Sequence, residues 1–217
     1  MKQVSIKRAA IFFNGDLSNL KSVKNYLNPT DLIICADGAA ENALNSNIIP
    51  SIIIGDFDSL SKFAQGKLRK YPIKWIRFPR EKDQTDSELA IAHAVSNNCK
   101  EILIFGLFGS RLDHLLTNIF ALKNLTTKGI DAVIIEGKQE IRIINNYLKL
   151  KGKIGDLVSL IPIKGDVRQV TTEGLKYKLN NEDLLFGYSR GISNVFAKKE
   201  VEVSIKDGSL LAIHYKN

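Results

Sequence analysis

Ile52-Ile53-Ile54-Gly55-Asp56-Phe57-Asp58-Ser59 is the stretch on which the fold turns. Three β-branched apolar residues in a row read as a buried strand, and Gly55 ends the run and delivers Asp56 and Asp58 beyond it. In extended backbone residues i and i+2 share a side. An alternating carboxylate pair can therefore hold one hard divalent cation, since Mg²⁺ takes oxygen ligands from one or two carboxylates plus substrate phosphates. A polar turn after a strand has the same look. What favours a site is company, because three further acidic loop segments follow comparable apolar runs.

Reading upstream, Leu32 to Ala36 is a second apolar strand ending at Asp37-Gly38-Ala39-Ala40, where small residues let a ligand approach the start of a helix. Arg8 to Phe13 is the first strand, closed by Asn14-Gly15, and a helix from about Leu20 to Leu27 follows with Ser18 as a cap and Pro29 beyond its end. Downstream, Ser59 caps a short helix through Lys70, and Ile73 to Phe78 is a partly alternating strand nearer a sheet edge. Pro79 to Glu88 then opens a helix running to about Asn97. Glu101 to Phe105 and Ile130 to Ile135 complete the strands. Continuously apolar strands alternating with helices predict an α/β unit built on an open, mostly parallel, Rossmann-like sheet with helices on both faces.

After Glu136-Gly137 the rhythm changes to short, turn-bounded, mostly period-two segments: Glu140–Ile144, Leu157–Pro162, Asp166–Thr171, Leu175–Leu179, Ile192–Ala197, Glu200–Ile205 and Leu210–Tyr215. These predict a small all-β sandwich over residues 138–217, behind an α/β domain over 1–137.

Ligands of an open parallel sheet gather at the carboxyl ends of its strands. Asp37, Asp56/Asp58, Asp83/Asp86 and Arg111/Asp113 all follow strands, so they can converge although distant in sequence. Thr85 and Glu88 have capping-box spacing, as do Ser110 and Asp113, so for Asp113 a structural and a metal role compete. Gly106 and Gly109 with Arg111 behind them read as a phosphate site, without a P-loop or dinucleotide fingerprint. His114 is a neutral donor if its helix start is buried, or a structural histidine. Leu112, Leu115, Leu116, Ile119, Phe120, Leu122 and Leu125 predict a broad apolar helix face against the sheet. Converging carboxylates need cations, and the set describes a Mg²⁺–polyphosphate site for phosphoryl or pyrophosphoryl transfer.

Composition narrows the classes. No apolar run approaches the roughly 18 residues of a membrane span, and Met1 to Ser5 lead into a strand without a signal-peptide core, so the expected location is cytoplasmic and no membrane partner is expected. Cys35 and Cys99 are the two cysteines, expected as bystander thiols in a reducing compartment, and no zinc-ligand spacing exists. The net charge of +8 admits nucleic acid or anionic small molecules. Its densest groups, Lys67 to Lys74 and Lys149 to Lys153, show no interleaved aromatic platform, so no nucleic-acid partner is expected. Trp75 is read as core.

Five segments taken together resemble the thiamine pyrophosphokinase family: Ala36 to Ala40, Gly55 to Ser59, Lys82 to Glu88, Gly106 to Asn118, and Ser189-Arg190-Gly191-Ile192-Ser193-Asn194. The resemblance spans nearly the whole chain. It implies transfer of pyrophosphate from ATP to the hydroxyethyl group of thiamine, giving thiamine diphosphate and AMP, with Mg²⁺, in a homodimer whose active site lies at the subunit interface. It implies that Asp56, Asp58, Asp83 and Asp113 hold metal, with Asp86 and Arg111 also catalytic. Asp37, Gly38, Gly106, Gly109, Ser110, Arg111, His114 and Asn118 would line the nucleotide, and Asp86, Ser193 and Asn194 would contact thiamine. The α/β domain would be catalytic and the β domain would serve thiamine binding and dimerisation. Ala39 and Ser110 stand where the family has glycine. A DxD-dependent nucleotide-sugar transferase and a non-catalytic nucleotide or RNA sensor are the competing readings.

Overall fold

The computed structural model describes residues 7–15, 17, 23–109 and 111–217. The chain divides into two compact units, Met1–Gly137 and Lys138–Asn217.

In the first unit, β1 (Arg8–Phe12), β2 (Leu32–Ala36), β3 (Ile52–Gly55), β4 (Lys74–Arg77), β5 (Glu101–Phe105) and β6 (Asp131–Glu136) pair in the order β6-β5-β1-β2-β3-β4, every pair parallel. This is the sheet the apolar runs predict. β3 is buried along its whole length, whereas β4 exposes Lys74 and Arg77 at its ends and stands at the edge its alternation foretold. Period two sends Phe12, Cys35, Ile53 and Phe105 into one core with Ala39, Ala40 and Ala43 of α1 (Ala39–Asn45) and Ala64 and Leu68 of α2 (Lys62–Leu68). The alternate residues Ile11, Ile34, Ile54 and Ile104 are fully buried on the other side of the pleat, each contributing about 2 kcal/mol. On the flanks, α3 (Asp86–Ser96) packs on β2 and β3, and α4 (Leu112–Thr127) packs on β6.

Local chemistry explains the helix starts and corrects two of them. Thr85 and Glu88 form a full capping box, with Thr85 N donating to Glu88 Oε2 at 2.9 Å and Glu88 N to Thr85 Oγ1 at 3.2 Å. Ser61, not Ser59, caps α2, its Oγ accepting from Ala64 N at 3.1 Å. Residues 56–60 are consumed by the turn that follows β3, so the helix begins later. Arg111 occupies the N-cap of α4 without a side-chain cap, so Asp113 plays no capping-box part there. The apolar face of α4 is also narrower than expected: Ile119, Leu122 and Leu125 are buried, while Leu112, Leu116 and Phe120, one turn apart from each other, are exposed. The helix expected over Leu20–Leu27 with its cap Ser18, the leading Met1–Ser5 segment and Ser110 lie wholly or partly outside the described residues.

The second unit contains β7 (Gln139–Ile144), β8 (Tyr147–Lys151), β9 (Leu157–Pro162), β10 (Val167–Glu173), β11 (Glu182–Leu184), β12 (Asn194–Val195), β13 (Glu200–Ser204) and β14 (Leu210–Tyr215). They form two antiparallel layers, β12-β9-β14-β7 and β11-β10-β13-β8, whose inner faces share a core that includes Leu150, Val158, Phe196, Val201 and Leu210. Leu175–Leu179 makes no strand but a single bridge, Leu175 to Phe196, with Leu179 N turned to Thr172 Oγ1 at 2.9 Å. Ile192–Ala197 contracts to β12, and β8 and β11 are strands beyond those expected. Asp156 and His214 form a buried pair, Oδ2 to Nε2 at 2.9 Å. Lys153 N (2.9 Å) and Asn217 N (3.0 Å) also donate to Asp156, and the imidazole stacks on Phe196 at 4.6 Å.

Cys35 and Cys99 are buried free thiols. Among the described residues no helix is long and apolar enough to cross a membrane.

Candidate active site

The strand order reverses direction between β1 and β5, and that crevice is where an open α/β sheet binds ligands. Beyond the strands, Phe13 N donates to Phe105 O (2.8 Å) and Gly15 N to Gly106 O (3.1 Å), so the two loops run side by side along the crevice. A Cβ on Gly15 would sit 2.3 Å from Gly106 O, so only glycine allows this approach. A cavity of about 260 Å³ opens here, lined by Phe13, Asn14, Gly15, Asp37, Ser59, Thr85, Asp86, Gly106, Gly109, Arg111, His114 and Asn118, among others. Phe13, Asn14 and Gly15 were not foreseen as lining residues. Their signal was available, since they end the first strand at what proves to be the centre of the sheet.

Asp37 is the first residue past β2 and takes a left-handed conformation, φ 46°. Asp37 N donates to Ile54 O at 2.8 Å, which fastens the turn to β3. A side chain on Gly55 would place its Cβ 2.9 Å from Asp37 Cβ, so the glycine that ends β3 is what lets Asp37 lie against it. In consequence Asp37, Asp56 and Asp58 bring carboxylate oxygens within 4.8 Å of one another.

This trio fits a hard divalent cation. Asp37 Oδ1 is buried without a hydrogen-bond partner. Burial raises the Asp37 pKa, the Ser59 hydroxyl opposes the rise, and the charges of Asp86 and Asp56 add to it, leaving the group net raised. A cation would remove that penalty. Asp56 is held below the ordinary carboxylate range, first by the Asp58 amide 3.0 Å from its Oδ1, with Lys82 and Arg80 assisting. Between the two acids Phe57 is left-handed, φ 70°, with its ring buried, so the loop is held in a conformation that bulky residues rarely adopt.

The other predicted acids stand elsewhere. Asp86 lines the cavity at the first turn of α3, with Lys82 Nζ 3.0 Å from its Oδ1 as an ion pair outside hydrogen-bond alignment. Asp83 is exposed in the preceding loop. Asp113 is bound to Arg111, Nε to Oδ1 at 3.1 Å and Nη2 to Oδ2 at 2.5 Å, and that guanidinium lowers its pKa to about 2. Among the described residues the carboxylate cluster is Asp37, Asp56 and Asp58, and Asp83 and Asp113 stand outside it. Arg111, His114 and Asn118 reach the cavity, and His114 is exposed, so the argument from a buried helix start does not apply. The backbone N–H groups of Leu107 and Phe108 donate to Glu136 Oε2 (2.8 and 3.3 Å). That carboxylate shapes the Gly106–Gly109 loop and occupies two of the amides a phosphate would have used.

In the second unit Ser193 is left-handed, φ 56°, and its N–H donates to Ser159 Oγ at 3.1 Å. Asn194 is buried and its amide is engaged on Tyr177, accepting from its N–H (3.0 Å) and donating to its carbonyl (2.6 Å).

Residues 23–134 match the family described as "Thiamin pyrophosphokinase, catalytic domain", and residues 142–210 the one described as "Thiamin pyrophosphokinase, vitamin B1 binding domain". The chain is 30% identical to the thiamine pyrophosphokinase of Bacillus subtilis (strain 168) over 96% of its own length and 98% of that protein's. The chain belongs to the thiamine pyrophosphokinase family. Solved structures of family proteins agree with its fold throughout: that of Bacillus subtilis superposes with TM-score 0.90 at 28% identity, covering 97% of this chain and 100% of the other, and that of Geobacillus thermodenitrificans with TM-score 0.85 at 26% identity, covering 97% and 98%. Four of the five sequence segments that carry the resemblance contribute residues that border the cavity, among them Asp37, Ser59, Asp86, Gly106 and Arg111.

Proposed function

We propose that this enzyme of the thiamine pyrophosphokinase family moves the terminal pyrophosphate of ATP to thiamine using the Asp37–Asp56–Asp58 cluster to hold Mg²⁺. The observation that carries the reading is that cluster, three carboxylates with oxygens within 4.8 Å, one of them buried and unpartnered, beside a cavity at the sheet's switch point. Bound there, Mg²⁺ supplies charge neutralisation and alignment for the polyphosphate. Domain roles follow: the first unit binds ATP and metal, and the second contributes to thiamine binding and to a homodimer that completes the site.

The thiamine hydroxyl oxygen forms a bond to the β-phosphorus of ATP as the bond from that phosphorus to the oxygen bridging it to the α-phosphorus breaks, releasing AMP. Arg111 binds phosphate oxygens and disperses the charge that develops on them. Asp86, which lines the cavity at the first turn of α3, receives the hydroxyl proton late in the transfer and passes it to solvent. Asp113 aims Arg111, Gly38, Gly106 and Gly109 admit the nucleotide's phosphates without steric hindrance, and His114 and Asn118 orient the nucleotide. Ser193 contacts thiamine, and Asn194 acts by fixing the backbone of Tyr177.

Phosphorus NMR of a reaction containing ATP, thiamine and Mg²⁺ tests the class of transfer. AMP and thiamine diphosphate appear in equal amounts if the reading holds; ADP in place of AMP would refute it.

A further inference from the structure

The basic run from Lys67 to Lys74 has no part in the transfer described above, and its fold supplies the aromatic surface that its sequence did not reveal. A groove of about 600 Å³ lies along edge strand β4, walled by Phe57, Arg69, Tyr71, Ile73, Trp75 and Arg77. That is the size of a small-molecule site. It shares no residue with the cavity at the switch point. Trp75, the chain's single tryptophan, meets Phe57 edge to face at 5.1 Å. The Arg77 guanidinium stands 5.3 Å over the Phe57 ring and that of Arg69 6.0 Å from the Trp75 ring.

Neither guanidinium is ion-paired among the described residues. The sequence explains why: from Lys62 to Arg80 there are seven basic residues and no acidic one. A concave surface with two uncompensated guanidiniums calls for an anion, and planar forks of that kind match phosphate oxygens. Half-buried aromatic rings beside them call for a heterocycle, since a base of any sequence can stack on an aromatic face. A phosphate joined to an aromatic base satisfies both.

We propose that this groove is a second ligand site, for a free nucleoside phosphate whose base stacks on Trp75 and whose phosphate lies between Arg69 and Arg77. The occupant is one nucleotide and not a strand, because the aromatic faces are gathered around a single cavity instead of repeating along a track. A ligand here bears on the ring of Phe57, whose backbone separates the two metal-site acids.

Trp75 is its own probe. AMP is titrated in EDTA while Trp75 emission is followed. A saturable change is expected, with a midpoint raised about tenfold or more in Arg69→Gln/Arg77→Gln and shifted less than about twofold in Arg111→Ala. Turnover of the double variant at saturating ATP and thiamine should stay within about twofold of the parent, which shows that it is folded. No saturable change up to about 10 mM AMP would overturn the proposal, as would a response lost in Arg111→Ala and kept in the double variant. Tighter binding of a short oligoribonucleotide than of AMP would overturn it in favour of an RNA contact. Normal formation of AMP and thiamine diphosphate without a Trp75 response would refute the groove alone and leave the transfer reaction standing.

Discussion

Asp37 and Asp156 are both buried, one in each unit, and they are housed in opposite ways. Asp156 accepts two backbone N–H groups and a histidine, and nothing of its charge is left unanswered. Asp37 keeps a buried oxygen without a partner and faces two more carboxylates. A saturated buried charge fixes a fold, whereas an unsatisfied one is a standing cost that persists where a ligand will relieve it. The difference separates the unit that holds the three-carboxylate cluster from the part of the second unit that braces its own β layers.

The largest test of this contrast is Asp56→Asn. The rate of AMP release should fall about a thousandfold, roughly 4 kcal/mol of transition-state stabilisation, while the melting temperature in EDTA stays where it was. A parallel loss of stability would make Asp56 a structural residue. Asp156→Ala should do the reverse, lowering the stability measured by urea unfolding by about 3 kcal/mol, because His214 and two amides lose their partner. A loss under about 1 kcal/mol would mean the pair is idle. Next comes Arg111→Ala, expected to slow AMP release about a hundredfold, roughly 2.7 kcal/mol, with Asp113→Asn about tenfold because it only aims that arginine. Equal effects would give Asp113 a direct role at the phosphates.

The smallest effect is the most diagnostic of the comparison. Burial and neighbouring acids raise Asp37, so protons bind its folded state more tightly and its ionised form detracts from stability above the folded pKa. Burial would also raise Asp156, but the amides of Asn217 and Lys153 and the His214 ring outweigh it and leave it lowered. Its contribution is complete above the unfolded pKa and is lost as pH falls through the folded one. Metal-free Asp37→Asn should therefore be more stable than the parent at pH 7 by about 1 kcal/mol, a gain that fades towards acid. The Asp156→Ala loss should fade towards acid as well, with the opposite sign. Unfolding curves of both variants across pH in EDTA check this.

Much of the first unit was legible because burial on both faces of a sheet leaves a blunt mark: Ile52-Ile53-Ile54 and Glu101-Ile102-Leu103-Ile104-Phe105 admit few other readings. Asp56 and Asp58 were legible for the same reason, as they follow the bluntest of those runs. The strand ends bring Asp37 towards these two, but how closely it approaches them depends on a left-handed φ and on the missing side chain of Gly55, and neither appears in a hydropathy pattern. Asp113 follows a strand as the other acids do, and its pairing with Arg111 rests on side-chain geometry that spacing does not show. In the second unit the alternation of Leu210–Tyr215 gave β14 residue for residue. The lysine-interrupted Tyr147–Lys151 concealed β8, and Leu175–Leu179, apolar at both ends, proved to be a loop held by Thr172.

The carboxylate of Glu136 carries a consequence for how the molecule is made. The amides it holds belong to Leu107 and Phe108, which precede it by 29 and 28 residues. Chains emerge from the ribosome N-terminus first, at about 5–20 residues per second. The loop beside the cavity therefore waits, its amides turned to water, for a second or more until the end of β6 arrives. The cavity at the switch point is then among the last parts of its unit to set, and a nascent chain that already has Asp37, Asp56 and Asp58 still lacks that fixed stretch of the cavity wall.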